Sequence, residues 1–128
     1  MEILASRVLF RPADYQRSLA FYRDGIGLAI AREYGGGTVF YAGQSLIELA
    51  GHGTPDHGAP PFPGALWLQV RDLHATQAEL QGRGVEIARE ARREPWGLHE
   101  MHVIDPDGVP LIFVQVPDDH PLRRDTRS

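Results

Sequence analysis

The chain has 128 residues, with 13 Lys and Arg against 17 Asp and Glu, and a formal net charge of -4. That length suits one domain with a proper core, and the acidic balance gives no electrostatic case for binding nucleic acid or an anionic membrane. There is no cysteine, which excludes disulfides, a thiolate nucleophile and Cys-based zinc or iron–sulfur sites.

The start, "MEILASRVLF", has only a short apolar stretch and carries Glu2 and Arg7, unlike a secretory signal. No apolar run approaches the ~20 residues of a membrane span. The expectation is a soluble cytoplasmic protein.

From Arg7 the chain reads "RVLFRPADYQRSLAFYRDGIGL". An alternating run predicts a strand, and Asp14 suits a helix N-cap. Leu19 and Tyr22 share one helical stripe, and Gly25-x-Gly27 stops the helix in the left-handed conformation. Strand-like segments follow near "LAIARE", "GGTVFYA" and "QSLIELA", with "AGQS" as a hairpin turn. "GGG" at 35–37 has neither the helix nor the Lys of a phosphate loop and reads as a mobile turn. "GHGTPDHGAPPFPG" (51–64) is a Pro- and Gly-rich linker.

Then the pattern returns. "ALWLQVRDLHATQAELQGRGVEI" starts at Ala65, with Asp72 as the cap, Leu73 and Leu80 as the stripe, and Gly82-x-Gly84 as the stop. The repeat period is about 58 residues. Strand-like segments follow near "VEIARE", "LHEMHVID" and "VPLIFVQV", the last two joined by "DPDG" (105–108), where Pro sets one turn position and Gly takes the left-handed one. The fold is α+β: a single domain, 1–128, of two β-α-β-β-β modules, 5–50 and 65–116, with a polar, frayed tail at 117–128.

Alternation sorts the faces. Val8 and Phe10 oppose Arg7, Leu9 and Arg11; Leu66, Leu68 and Val70 oppose Ala65, Trp67 and Gln69; Ile47 and Leu49 oppose Leu46, Glu48 and Ala50. The uniformly apolar sets belong under the helices. The mixed sets belong on concave faces, whose composition suits a ligand pocket. Glu48 then sits in an otherwise apolar strand and requires a partner. Phe40 and Tyr41 alternate, and Phe40 is taken as the one facing the ligand. Tyr34, before the glycines, reads either as a pocket lip or as a solvated tyrosine.

One aromatic stands where local signals indicate a loop: Trp96 in "EPWGLHEMHVIDPDG". On local signals it reads as a loop aromatic covering the hairpin core. Trp67 reads as pocket lining, against packing at an interface. His52, His57, His74 and His120 read as surface groups. His99 and His102 are not in a zinc-protease spacing and point to opposite faces, leaving His102 as a possible donor to a ligand.

The two modules, "SLAFYRDGIGL" and "EPWGLHEMHVIDPDGVPLIFVQ", resemble the vicinal oxygen chelate superfamily, which includes glyoxalase I, extradiol dioxygenases, fosfomycin-resistance transferases and bleomycin-resistance proteins. The resemblance covers about residues 5 to 116. It implies concave mixed sheets and a homodimer with pockets between subunits, with exchange of arms or modules left open. Enzymes of this superfamily hold a divalent metal on positions that fall here on Arg7, Glu48, Ala65 and Ile112. Only Glu48 has a donor for a cation. The resemblance therefore implies an Arg7–Glu48 salt bridge in place of an ion, no metal and no cofactor, and it is nearest to the metal-free, bleomycin-resistance type.

The function it implies is sequestration of an aromatic antibiotic (bleomycin-, mitomycin- or enediyne-like), with Trp96 stacking on its flat part. Trp96, Trp67, Phe40, Tyr34, Leu9 and Ile112 would supply apolar contacts, and Arg7, Glu48, Gln69 and His102 polar ones. The alternative is a divergent enzyme, metal-dependent or using Glu48 as the acid or base of an isomerase or lyase. A third reading is a regulatory or scaffold dimer with an unused cleft.

Overall fold

A computed structural model describes residues 1–52 and 62–121. His57, with most of the linker, and the end of the tail lie outside the described residues. The chain divides into two compact units, Met1–Pro61 and Phe62–Ser128, and each is built by the same steps.

In the first unit, β1 (Val8–Phe10) leads to α1 (Tyr15–Ala20), then to β2 (Ile30–Tyr34), β3 (Gly37–Ala42) and β4 (Ser45–Ala50). The Asp14 carboxylate accepts the Arg17 N–H at 3.1 Å, satisfying one of the orphan donors of the first turn. The helix widens into a π-helical turn over Phe21–Ile26 before Gly27 ends it at φ 82°. Leu19 and Tyr22 are buried, and the Tyr22 ring stands 6.3 Å from that of Phe40.

The sheet order is β1-β4-β3-β2, with β1 parallel to β4. Its registers pair Val8 with Ile47 and Ile47 with Phe40, and they pair Leu9 with Glu48, Glu48 with Val39 and Val39 with Arg32. Paired residues share a face. Phe40 and Ile47 thus belong to the helix-covered core, and the row Leu9–Glu48–Val39–Arg32 crosses the opposite face. Alternation within "VFYA" allows either phase, and pairing with Ile47 decides it. Phe40 is fully buried, a correction to its expected place among ligand contacts.

In the second unit, β5 (Leu66–Gln69), α2 (Leu73–Gly82), β6 (Arg89–Arg93), β7 (His99–Ile104) and β8 (Pro110–Gln115) repeat the plan, with sheet order β5-β8-β7-β6. Asp72 accepts the Ala75 N–H at 3.0 Å, and Gly84 takes φ 80°. Leu73 and Leu80 are buried with Met101, Val103, Leu111 and Phe113. On the other face Leu98, Val114 and Val116 form an apolar cluster with Ile112 against it.

The two hairpin turns read from the sequence follow from their residues. Gly43 has φ 60° at the first turn position between the paired Ala42 and Ser45, the place glycine takes in a type II′ turn. In "DPDG", the Gly108 N–H donates to the Asp105 carbonyl at 3.0 Å and Gly108 has φ 86°. The Asp105 carboxylate also accepts the N–H groups of Asp107 and Val109, each at 2.8 Å.

Two boundaries differ from the sequence reading. The sixth strand begins at Arg89, not Val85. Past Gly84 the Val85 N–H turns back to the Leu80 carbonyl at 3.0 Å and its side chain is buried, so the chain closes the helix before it pairs. The start of the tail is folded as well: the His120 N–H donates to the Pro117 carbonyl at 3.0 Å, and the His120 ring lies 3.3 Å from the Trp96 carbonyl oxygen. Among the described residues, no helix is long and apolar enough to cross a membrane.

Candidate functional site

On the open face of the first sheet, Glu48 is 8% exposed. Arg7 Nη1 donates to its Oε1 at 3.0 Å, as the resemblance implied, and the Tyr34 hydroxyl donates to its Oε2. Tyr34 is positioned from the sheet edge: it pairs with Gly37, which pairs with Ala50. A Cβ on Gly37 would lie 2.7 Å from the Tyr34 hydroxyl. His52, exposed as expected, brings its Nε2 to 3.4 Å from that hydroxyl. Behind it, on the helix side, the Tyr15 and Thr38 hydroxyls share a hydrogen bond of 2.6 Å.

Hydrogen bonding from Tyr34 holds the Glu48 carboxyl below its ordinary value; burial pushes the other way, and Arg7 adds to the depression. The same bond raises the Tyr34 phenol. Burial therefore does not tune Glu48 upward toward general acid or base work at neutral pH. It is a fixed anion.

The metal positions of the resemblance can be compared by register. Leu9 pairs with Glu48, and Trp67 with Ile112, so Arg7 and Glu48 in one unit correspond to Ala65 and Ile112 in the other. Both Glu48 oxygens are engaged, Arg7 is a cation, and Ala65 and Ile112 have no donor atom. These residues do not fit a divalent ion. Among the described residues, no three His, Asp or Glu side chains converge to hold one.

The second sheet's open face carries the row Trp67–Ile112–His102–Arg89 and, beside it, Gln69–Val114–Glu100–Arg92. His99 falls on the opposite face from His102 by the same register. Trp96, in the loop before β7, donates from Nε1 to Glu100 Oε2 at 2.7 Å and remains 59% exposed; Trp67 is 47% exposed. The Trp96 loop is set by Glu94, which is buried. Its N–H donates to the Leu98 carbonyl at 2.8 Å, its carbonyl accepts from the Gly97 N–H at 2.9 Å, and Gly97 takes φ 93°. Burial pushes the Glu94 carboxyl up, but hydrogen bonds from Arg89 and Arg92 outweigh it and hold it low.

His102 Nε2 is buried without a hydrogen-bond partner and lies 3.9 Å from Glu100 Oε1. Burial, then the Arg89 charge, lower its proton affinity, so the ring is neutral at pH 7. Glu100, Glu94, Arg89 and Arg92 were not singled out in the sequence. The usable signal was alternation on β7, which puts Glu100 on the face of His102.

A curated relative, the uncharacterised protein YraH of Bacillus subtilis (strain 168), is 28% identical over 123 residues, covering 84% of this chain and 92% of that one. The structure titled glyoxalase/bleomycin resistance protein/dioxygenase from Alicyclobacillus acidocaldarius superposes with TM-score 0.70 at 18% identity, over 90% of this chain and 92% of the other. Lactoylglutathione lyase from Agrobacterium tumefaciens does so with TM-score 0.65 at 17% identity, over 90% and 96%. At such identities the structures speak for the fold alone. The family model of the Glyoxalase/Bleomycin resistance protein/Dioxygenase superfamily matches residues 5–113. With its repeated modules and parallel-closed sheets, the chain belongs to that superfamily.

Proposed function

We propose that this member of the superfamily is a non-catalytic binding protein that sequesters a flat aromatic natural product, of the bleomycin, mitomycin or enediyne kind. It works as a cytoplasmic homodimer and confers resistance by holding the compound. One observation carries the reading: Trp96 is tethered through its N–H to Glu100 while most of its ring stays exposed. A large aromatic held in one orientation and left open to solvent is a pre-organised stacking platform. Trp67, Gln69 and Ile112 lie on the same sheet face, beside the Leu98–Val114–Val116 cluster. The strands of Trp67 and Glu100 are two spacings apart in the sheet, about 10 Å, a width that a fused-ring system spans. In the first unit, Leu9, Tyr34, Arg7 and Glu48 provide an apolar and charged face of their own.

The test is a tryptophan fluorescence titration with flat aromatic antibiotics, since both tryptophans of the chain lie in the second unit. Saturable binding at micromolar concentration or tighter, weakened about tenfold in Trp96→Ala, supports the reading. No binding, or equal binding by the variant, rejects it.

A further inference from the structure

Glu48, Glu94 and Glu100 are all buried. Two of the three are closed by arginine: Glu48 by Arg7, and Glu94 by Arg89 and Arg92. Glu100 differs. It is 7% exposed, and its Oε2 accepts from Trp96. Among the described residues its Oε1 has His102 Nε2 at 3.9 Å, beyond hydrogen-bond reach. Among the described residues that carboxylate has no cation within bonding distance.

The neighbours do not supply one. On β6, Arg92 pairs across from Glu100, but its guanidinium goes to Glu94. Arg89 also goes to Glu94 and touches Glu100 only at the backbone carbonyl, 3.4 Å away. On β8 and β5 the same row continues with Val114 and Gln69, which carry no charge. His102 is neutral at pH 7. A mostly buried carboxylate whose hydrogen bond comes from a neutral donor is held in place with its charge uncompensated, and this one stands beside the exposed ring of Trp96.

We propose that Glu100 recognises a cationic nitrogen on the ligand: a protonated amine or protonated ring nitrogen, with an N–H to donate, attached to the flat aromatic system. This rests on the aromatic-binding reading above and adds the ligand's charge and its point of attachment. Oε1 accepts a charge-assisted hydrogen bond, and the exposed face of Trp96 is left to stack on the flat ring that carries the cation. The ligand completes in the second unit the kind of pair that Arg7 completes for Glu48 in the first.

The test compares 9-aminoacridine, cationic at neutral pH, with acridine, which is largely neutral there, at 0.15 M salt so that general attraction to an acidic protein is screened. The wild-type chain should prefer 9-aminoacridine by about tenfold or more. In Glu100→Gln, which keeps an acceptor for Trp96, the preference should fall to about one. A second measurement needs no variant: bound acridine should protonate at a pH about one unit higher than free acridine, followed by its absorption spectrum. Equal binding of the two probes, a preference kept in Glu100→Gln, or no upward shift in bound acridine overturns the proposal while leaving aromatic binding in place. Failure of both probes to bind overturns both readings.

Discussion

Arg7 and Glu48, 41 residues apart, meet at 3.0 Å on the open face of the first sheet, where enzymes with this arrangement of modules are expected to hold an ion. Glu48 is buried and Arg7 partly exposed. Removing the cation leaves an unpaired anion inside, but solvent reaches the arginine side and reduces the loss. Arg7→Met should therefore destabilise the chain by about 1 kcal/mol in urea denaturation at pH 7. An unchanged midpoint would show that the pair is incidental.

Tyr34 gives the same carboxylate its other partner, and this has a pH signature. The Glu48 carboxyl titrates lower in the folded chain than its ordinary value of 4.5. Its contribution to stability is present above about pH 4.5 and is lost as pH falls through the folded value. Tyr34→Phe brings the two values closer together. The variant should be less stable than wild type at pH 7, and the gap should narrow as the solution is acidified below about pH 4.5. Urea melts at pH 7 and near pH 3 measure both gaps; a constant difference between them would mean that Tyr34 acts by packing and not on the charge.

Gly37 sets where Tyr34 stands. A Cβ there would press into the Leu49 carbonyl oxygen and lie 2.7 Å from the Tyr34 hydroxyl. The first of these is backbone and cannot swing away. Gly37→Ala should cost about 1–3 kcal/mol, the range for overpacking, and should largely abolish the effect of a further Tyr34→Phe change, since the hydroxyl is already displaced. Additive losses in the double variant would break this link.

What the sequence disclosed here was whatever depends on near neighbours. Asp14 and Asp72 cap helices because a short carboxylate two or three residues from free N–H groups can do little else, and Gly27, Gly84 and Gly108 sit where the chain must turn left-handed. The face of Phe40 was not legible, because alternation fixes only that Phe40 and Tyr41 differ; pairing to Ile47 chose between them. The Trp96–Glu100 bond escaped because it spans a turn whose shape depends on Glu94, itself held by Arg89 and Arg92 on the strand that leads into the turn. Arg7–Glu48 was reached only through the likeness to a fold that brings those two positions together. The π-helical turn over Phe21–Ile26 left no mark in the pattern of apolar residues.

The donor set bears most directly on whether this chain has kept metal chemistry. A divalent ion needs several oxygen or nitrogen ligands held together. Of the four positions, Glu48 offers a carboxylate already bonded by Arg7 and Tyr34, and an ion there would have to displace a guanidinium and bear its repulsion. Calorimetric titration of chelator-treated protein with nickel, manganese, iron(II) and zinc should show no stoichiometric site. One ion bound per chain, and lost in Glu48→Gln, would require Arg7 to swing aside and a second set of ligands to assemble around Glu48; it would return the chain to the metal-dependent enzymes. Binding that survives Glu48→Gln would place the ion elsewhere and leave the Arg7–Glu48 pair as it stands.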